Sequence, residues 1–230
     1  KPQANAAKGA EMQPILRVGT DCSGMEAPIQ ALRNLRWPHQ HIFSCDNDRH
    51  VIETSKANFC PQKHYDDITK RNNSETPSVD LYVAGFPCQP FSQAGKQQGF
   101  EDTRGRGTIF YNVLEYIEHH RPKVFIFENV KGFQTMDNGK HVKKILGALS
   151  DIRSISKERP NERKSAYEIH TEILDTKYHG IPQSRPRWYC VGILKTTFKG
   201  DCSQFKFPEP IPMTPIDTLL DWDSEKAQIW

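Results

Sequence analysis

The sequence has few of the features that mark membrane, secreted or zinc-binding proteins. No apolar run approaches the length of a membrane span, and the first residues carry no signal-peptide pattern. The six cysteines are scattered without a CxxC pair, which argues against a zinc site. We therefore expect no membrane association and no bound metal. We also expect a reducing compartment, the nucleus of a eukaryote or the cytoplasm of a bacterium, and no secretion.

Strong charge of one sign and internal repeats are also lacking. The net charge of +3 permits a polyanionic partner without arguing for one. No GxGxxG motif marks a dinucleotide site. The 230 residues, of which 36% are hydrophobic and 26% charged, suit one α/β domain that can bury a core.

Short apolar runs alternate with amphipathic stretches along the chain. Predicted strands cover 15–19, 41–45, 79–84, 123–127 and 167–174, and a last strand ends near Ile193. Predicted helices cover 49–59, 109–120 and 141–152, and a further helix carries Ile29, Leu32 and Leu35. This alternation predicts an α/β fold with a mostly parallel sheet and helices on both faces. We expect a disordered leader at 1–14, the main domain at 15–205 and a proline-rich tail at 206–230.

The most informative stretch is GFPCQPFSQAGKQQGFEDTRGRGT, residues 85–108, directly after the predicted strand at 79–84. Pro87 and Pro90 flank Cys88 and prevent a helix there. A cysteine on a stiff turn at the carboxyl end of a parallel strand lies where open α/β sheets place their chemistry. The alternative is a small buried thiol, because free cysteine often behaves as a small hydrophobe.

Acidic residues follow two other predicted strands. Asp46 could accept hydrogen bonds from both hydroxyls of a ribose, or it could cap the next helix, a role that suits the nearby Asp48 better. Asp67, in the segment YDDIT, is compatible with an ordinary turn aspartate. Glu128 follows the strand at 123–127 and could cap the helix after it.

Several motifs occur together in one order: the turn DCSGMEAP, the segment GFPCQPFS, the segment FENV, and the pattern QxRxR at Gln183, Arg185 and Arg187. Over about residues 15–194 they resemble the cytosine-carbon-5 DNA methyltransferase family. The resemblance implies a Rossmann-like S-adenosylmethionine-dependent methyltransferase fold. It also implies transfer of a methyl group from S-adenosylmethionine to carbon 5 of a cytosine in DNA.

The resemblance further implies a set of cofactor-binding residues. In it, Asp46 holds the ribose hydroxyls and Asp67 accepts from the adenine amino group. The turn after the first strand departs from the family pattern, which usually has an aromatic residue where Cys22 stands and glycines where Glu26 and Ala27 stand. The full set is Asp21, Cys22, Ser23, Gly24, Met25, Asp46, Asn47, Asp67, Ile68, Gly85, Pro87 and Ile109.

The implied chemistry is covalent. The Cys88 thiolate adds to carbon 6 of the base, and Glu128 gives a proton or a strong hydrogen bond to N3. Arg187 holds the base carbonyl, and Arg185 braces the site. The base must leave the duplex stack first, and the loop at 92–106 has glycine hinges that could close over it. The predicted DNA contacts are Ser92, Gln93, Lys96, Gln97, Arg104, Arg106 and Gln183.

Two alternatives remain open at this stage: the same reaction on transfer RNA, and a catalytically incomplete family member that regulates a partner. After Leu194 the chain turns proline-rich, and neither the family's target-recognition domain nor its last two motifs is found. We expect duplex DNA as a partner, and a C-terminal segment or partner chain that completes target recognition. Without it, this chain should bind DNA weakly.

Overall fold

The computed structural model describes residues 14–87, 109–154, 164–198 and 200–220. Within these ranges the chain forms a seven-stranded sheet with helices between the strands. The strands are β1 (Leu16–Asp21), β2 (His39–Cys45), β3 (Lys63–Tyr65), β4 (Leu81–Ala84), β5 (Val124–Val130), β6 (Tyr167–Asp175) and β7 (Pro186–Leu194). The helices are α1 (Ala27–Asn34), α2 (Arg49–Asn58), α3 (Ile109–His120), α4 (Gly132–Thr135) and α5 (Lys140–Asp151).

The strand order is β3-β2-β1-β4-β5-β7-β6, and the first five of these strands run parallel. The chain leaves β1 toward β2 and β3 on one side, and later returns to place β4 and β5 on the other. Such a reversal of strand order opens a crevice outside the carboxyl ends of β1 and β4, where ligands of open α/β sheets bind. The prediction of a mostly parallel sheet is confirmed.

Strand β7 breaks the parallel pattern, because it lies between β5 and β6 and runs antiparallel to both. Its first residues therefore lie beside the last residues of β5, with Arg187 opposite Val130 and Tyr189 opposite Glu128. This register brings the QxRxR segment to the carboxyl edge of the parallel strands.

Apolar side chains pack against both faces of the sheet. Leu81 belongs to the cluster of Val18 and Ile29, whereas its neighbour Tyr82 belongs to the larger cluster with Val113 of α3. Successive strand residues point to opposite faces, so α1 and α3 lie on opposite sides of the sheet. The expectation of helices on both faces is met.

One predicted core residue lies outside the core. Helix α1 begins only at Ala27 and ends at Asn34, and Leu35 follows it with 72% of its surface exposed. Leu35 stands six residues after Ile29, so at 3.6 residues per turn it points about 120° away from the face that Ile29 buries. Arg36, with φ of 53°, then stops the helix from continuing. The apolar spacing therefore placed Leu35 wrongly in the same stripe as Ile29 and Leu32.

No helix in the described part of the chain is long and apolar enough to cross a membrane. Within those same residues, no group of three or more histidine, cysteine, aspartate or glutamate side chains is placed to hold a metal ion.

Candidate active site

A cavity of about 430 Å³ opens at the carboxyl ends of the parallel strands. It collects residues from the ends of β1, β2, β4 and β5 and from the start of β7. Most of the predicted cofactor residues and three of the predicted catalytic residues share it. Its described lining is Cys22, Cys45, Asp46, Asn47, Asp67, Ile68, Gly85, Phe86, Pro87, Ile109, Glu128, Val130, Arg185 and Arg187.

Asp46 occupies the end of β2 with both carboxylate oxygens engaged by backbone amides. Its Oδ2 accepts from the amide of Gly24 at 2.9 Å, and its Oδ1 accepts from the amide of Asp48 at 3.0 Å. Asp48 itself caps α2 by accepting from the amides of His50 and Val51. The capping role therefore belongs to Asp48. A carboxylate offers about four acceptor positions, so Asp46 can still accept hydrogen bonds from a ligand in the cavity.

Asp67 forms the turn expected of it. Its Oδ1 accepts from the amide of Thr69 at 2.9 Å and from the Thr69 hydroxyl at 2.7 Å. The Thr69 hydroxyl bond is the main cause that lowers the pKa of Asp67 below its ordinary value. Asp67 thus stands at the cavity wall as a charged acceptor.

Asp21 does not line the cavity, although it belongs to the predicted cofactor set. Its side chain is fully buried and forms a bidentate ion pair with Arg71, at 2.6 and 2.7 Å. The Tyr82 hydroxyl also donates to it. These partners occupy the carboxylate, so the Asp21 side chain supports the fold instead of facing a ligand. Ser23, Gly24 and Met25 stand in the turn after it and are also absent from the cavity wall.

Two thiols contribute to the wall near the β1 and β2 ends. Burial raises the pKa of Cys22 and of Cys45 well above the ordinary value. Both side chains are therefore thiols at neutral pH and not the nucleophilic thiolate. They serve as small apolar surface.

At the opposite end of the cavity, Glu128 and Arg187 meet. The Nε of Arg187 lies 2.7 Å from Oε1 of Glu128, and the two side chains are 19% and 36% exposed. A Cβ atom at Gly85 would lie 3.7 Å from Oε2 of Glu128, so the β4 end approaches this carboxylate closely. Arg187 orients one oxygen of Glu128, and the other faces the glycine turn.

Two positioning residues of this region were not among the predicted site residues. Asn129 is buried, donates from Nδ2 to the carbonyl of Phe86 at 3.4 Å, and so ties β5 to the turn after β4. Asp175 accepts from the Ser184 hydroxyl and the Arg185 amide, each at 2.8 Å, which fixes the entry to β7. The FENV segment could have indicated Asn129, whereas Asp175 looks like any strand-end acid.

Some predicted residues fall elsewhere. Gln183 is exposed and does not line the cavity. Cys88 and the predicted DNA contacts Ser92, Gln93, Lys96, Gln97, Arg104 and Arg106 lie outside the described residues. The residues that flank this segment, Pro87 and Ile109, both line the cavity. Pro87 directly precedes Cys88 in the sequence.

Comparison with known proteins gives consistent relatives. A type II methyltransferase from Lactococcus lactis subsp. cremoris, M1.ScrFI, is 40% identical over 181 residues, which is 78% of this chain and 42% of that protein. M.HpaII from Haemophilus parainfluenzae is 38% identical over 187 residues, covering 81% of this chain and 47% of its own length. The chain spans about half the length of the curated relatives it matches.

Solved structures share the fold at lower identity. The methyltransferase EhMeth of Entamoeba histolytica matches with a TM-score of 0.69 at 18% identity, over 94% of this chain and 62% of that one. The Dnmt2 methyltransferase of S. pombe matches with a TM-score of 0.59 at 24% identity, over 84% of this chain and 57% of that one. The family model described as C-5 cytosine-specific DNA methylase matches residues 21–229. The chain therefore belongs to the C-5 cytosine-specific DNA methylase family.

Proposed function

We propose that this chain is the catalytic part of a DNA (cytosine-5-)-methyltransferase. The observation that carries the proposal is the single cavity that joins Asp46 and Asp67 at one end to Glu128 and Arg187 at the other. The family, whose printed description is a cytosine-specific DNA methylase, supports DNA as the substrate. The domain of residues 15–205 would carry the reaction.

The cavity suits S-adenosylmethionine. Its volume of about 430 Å³ falls within the usual range for small-molecule sites. Asp46 supplies acceptors for the ribose hydroxyls, and Asp67 supplies one for the adenine amino group. The side chains of Ile68, Phe86 and Ile109 provide apolar surface for the adenine ring. When bound, S-adenosylmethionine supplies the methyl group that carbon 5 of the base receives.

The protein's own part in the reaction begins with Cys88. Carbon 5 of cytosine becomes nucleophilic when a thiolate adds to carbon 6, and this addition pushes negative charge toward N3. Glu128 lies in the cavity whose rim includes Pro87, the residue before Cys88. A proton or strong hydrogen bond from Glu128 to N3 would stabilise this charge. Once carbon 5 carries the methyl group, a base would remove the carbon-5 proton, and the Cys88 thiolate would leave carbon 6 as the ring double bond forms again. Arg187, 2.7 Å from Glu128, holds this side chain in place and is positioned to bind the base carbonyl.

The other parts of the proposal concern the duplex. Base and cofactor can share the cavity only if the cytosine leaves the stack. The segment 92–106, with Lys96, Arg104 and Arg106, would hold phosphates around the extruded base. Selective reading of the target would need a C-terminal segment or a partner chain, as we expect from the relatives' greater length.

The test is covalent trapping. A duplex with 5-fluorocytosine at the target should form a denaturant-resistant adduct with the protein in the presence of S-adenosylmethionine, because fluorine at carbon 5 cannot leave as a proton does. Cys88→Ala should abolish the adduct, and Cys60→Ala, at an exposed thiol, should retain it. Trapping by the Cys88→Ala protein would contradict the assignment. Trapping of transfer RNA but not of the duplex would identify RNA, and not DNA, as the substrate.

A further inference from the structure

A buried acid stands in the turn between β1 and α1. Glu26 has no exposed surface, lies at the N-cap position of α1, and does not reach the cavity. The proposed reaction makes no use of it. A buried carboxylate is unfavourable unless it is well hydrogen-bonded, so its partners indicate its role.

Two chains of polar groups converge on the Glu26 carboxylate. Ser44 donates to Oε1 at 2.5 Å, and the Ser23 hydroxyl lies 3.1 Å from that of Ser44. Thr20 donates to Oε2 at 3.0 Å, and Nε2 of His41 lies 3.2 Å from the Thr20 hydroxyl. When Nε2 of His41 carries the proton, His41 donates to Thr20. The hydroxyls of Thr20 and Ser44 then donate to the carboxylate, and that of Ser23 can donate to Ser44. The carboxylate therefore joins the end of β1, the turn and the end of β2.

The turn that Glu26 closes has an unfavourable backbone. Cys22, Gly24 and Glu26 all adopt left-handed conformations, with φ of 49°, 53° and 56°. Residues other than glycine rarely adopt such φ values, and these conformations persist only where surrounding contacts impose them. Glu26 makes no side-chain bond to its own helix amides. Its amide donates to the Ser23 carbonyl at 3.0 Å, and its carboxylate, through Thr20 and Ser44, ties this residue to β1 and β2.

This turn determines where the cofactor-facing groups lie. The Ser23 amide donates to the carbonyl of Cys45 at 3.1 Å, and the Gly24 amide donates to Oδ2 of Asp46 at 2.9 Å. Cys22, Cys45 and Asp46 line the cavity. A shift of the turn would move the Gly24 amide and release the carboxylate that is assigned to the ribose.

We infer that Glu26 is a positioning residue for cofactor binding: its hydrogen bonds to Thr20 and Ser44 preform the β1–α1 turn and thereby fix Asp46. The inference rests on the proposed function, because it takes S-adenosylmethionine as the ligand of the cavity. Binding to a preformed turn avoids the cost of ordering it, which is a recognised source of affinity.

The experiment measures S-adenosylmethionine affinity by calorimetry on the full chain, at a temperature where circular dichroism shows each variant folded. Glu26→Ala should weaken binding roughly tenfold or more, because the turn must then be ordered on binding. Glu26→Gln, which keeps the shape and one acceptor, should lie between Glu26→Ala and the wild type. Glu53→Ala is the matched control, since Glu53 is exposed and pairs with Arg49 on the surface. It should bind as the wild type does.

Amide exchange without cofactor supplies a second readout. In Glu26→Ala the Ser23 and Gly24 amides should exchange faster, while amides of β5 keep their protection. If Glu26→Ala does not fold, Ser44→Ala takes its place, since it removes one donor to Glu26 from a side chain outside the cavity wall.

The outcomes separate the two proposals. A wild-type chain that binds no S-adenosylmethionine would overturn the proposed cofactor, and the inference with it. A wild-type chain that binds, together with a folded Glu26→Ala or Ser44→Ala variant of equal affinity, would overturn the inference alone. Weaker binding with faster exchange at Ser23 and Gly24 would support it.

Discussion

The strongest stability prediction concerns the buried ion pair of Arg71 and Asp21. The two side chains are 1% and 0% exposed and are joined through the two terminal guanidinium nitrogens, Nη1 and Nη2. Burial alone would lower the pKa of Arg71, but Asp21 beside it keeps that pKa above its ordinary value. Arg71 also lies over the ring of Phe43, at 5.2 Å from its centroid. The guanidinium thus has an anion, hydrogen bonds and aromatic contacts, but almost no water.

Replacing Arg71 by Met would keep much of the volume and leave the Asp21 carboxylate buried without a counterion. Loss of one partner of a buried pair usually lowers the free energy of unfolding by about 3–5 kcal/mol. That is a large part of the roughly 5–15 kcal/mol that stabilises a typical domain. The double variant Arg71→Met/Asp21→Asn should be more stable than Arg71→Met alone, because the uncompensated charge is then gone while Tyr82 can still donate to Asn.

Urea unfolding at pH 7 measures both effects. Arg49→Met is the matched control: its ion pair with Glu53 is surface-exposed, and its loss should change the free energy of unfolding by less than about 0.5 kcal/mol. If Arg71→Met loses no more stability than Arg49→Met, or if the double variant is the least stable of the set, the buried pair does not stabilise the fold.

Three further results are expected. Asp46→Ala should weaken S-adenosylmethionine binding, measured by calorimetry, about tenfold to a hundredfold, because a charged acceptor is removed from two hydroxyls; an unchanged affinity would refute the assignment. Gly192→Ala should destabilise the fold by about 1–3 kcal/mol or more in thermal unfolding, because the added Cβ would lie 2.1 Å from the ring of Phe125. The Cβ of Gly147→Ala in α5 would meet nothing within 4 Å, so this variant should be as stable as the wild type or slightly more stable. Equal changes in the two variants would contradict the proposed clash with Phe125. Burial lowers the pKa of His41 from 6.5 to about 4, so between those pH values the unfolded chain takes up a proton that the folded chain does not. The free energy of unfolding, measured in urea, should therefore fall by about 2 kcal/mol from pH 7 to pH 5, and His41→Gln should reduce this fall.

Much of the fold follows from local pattern. The predicted helix at 109–120 ends where α3 ends, because its apolar stripe is continuous and the next residues, Arg121 and Pro122, end it. The predicted strand at 123–127 was too short, since β5 continues to Val130. Its last residues pair with β7, opposite Trp188 and Arg187, and such long-range pairing leaves no local signal.

A residue's place at the cavity was predictable where motif and strand end coincide, as at Asp46 and Glu128. It was not predictable where a polar residue turns inward. Arg71 stands in a stretch that looks like a solvated loop, yet it is buried. Glu26 stands where the family usually has glycine, and composition gives no hint that Ser44 and Thr20 surround it. Burial of a polar group depends on partners distant in sequence, and the spacing of apolar residues along the chain does not indicate which residues these partners are.

The antiparallel strand β7 explains how one cavity comes to hold both halves of the proposed site. Parallel strands deliver to their carboxyl edge only the residues that follow them, which accounts for Asp46 after β2 and Gly85 after β4. The arginines of QxRxR precede or begin a strand, and in a parallel strand they would lie at the far edge, about a strand length away from Glu128. Because β7 runs antiparallel to β5, Arg187 instead stands opposite Val130, and its guanidinium reaches Glu128 at 2.7 Å. The reversed direction of this one strand is therefore as necessary to the proposed chemistry as the identity of the arginines.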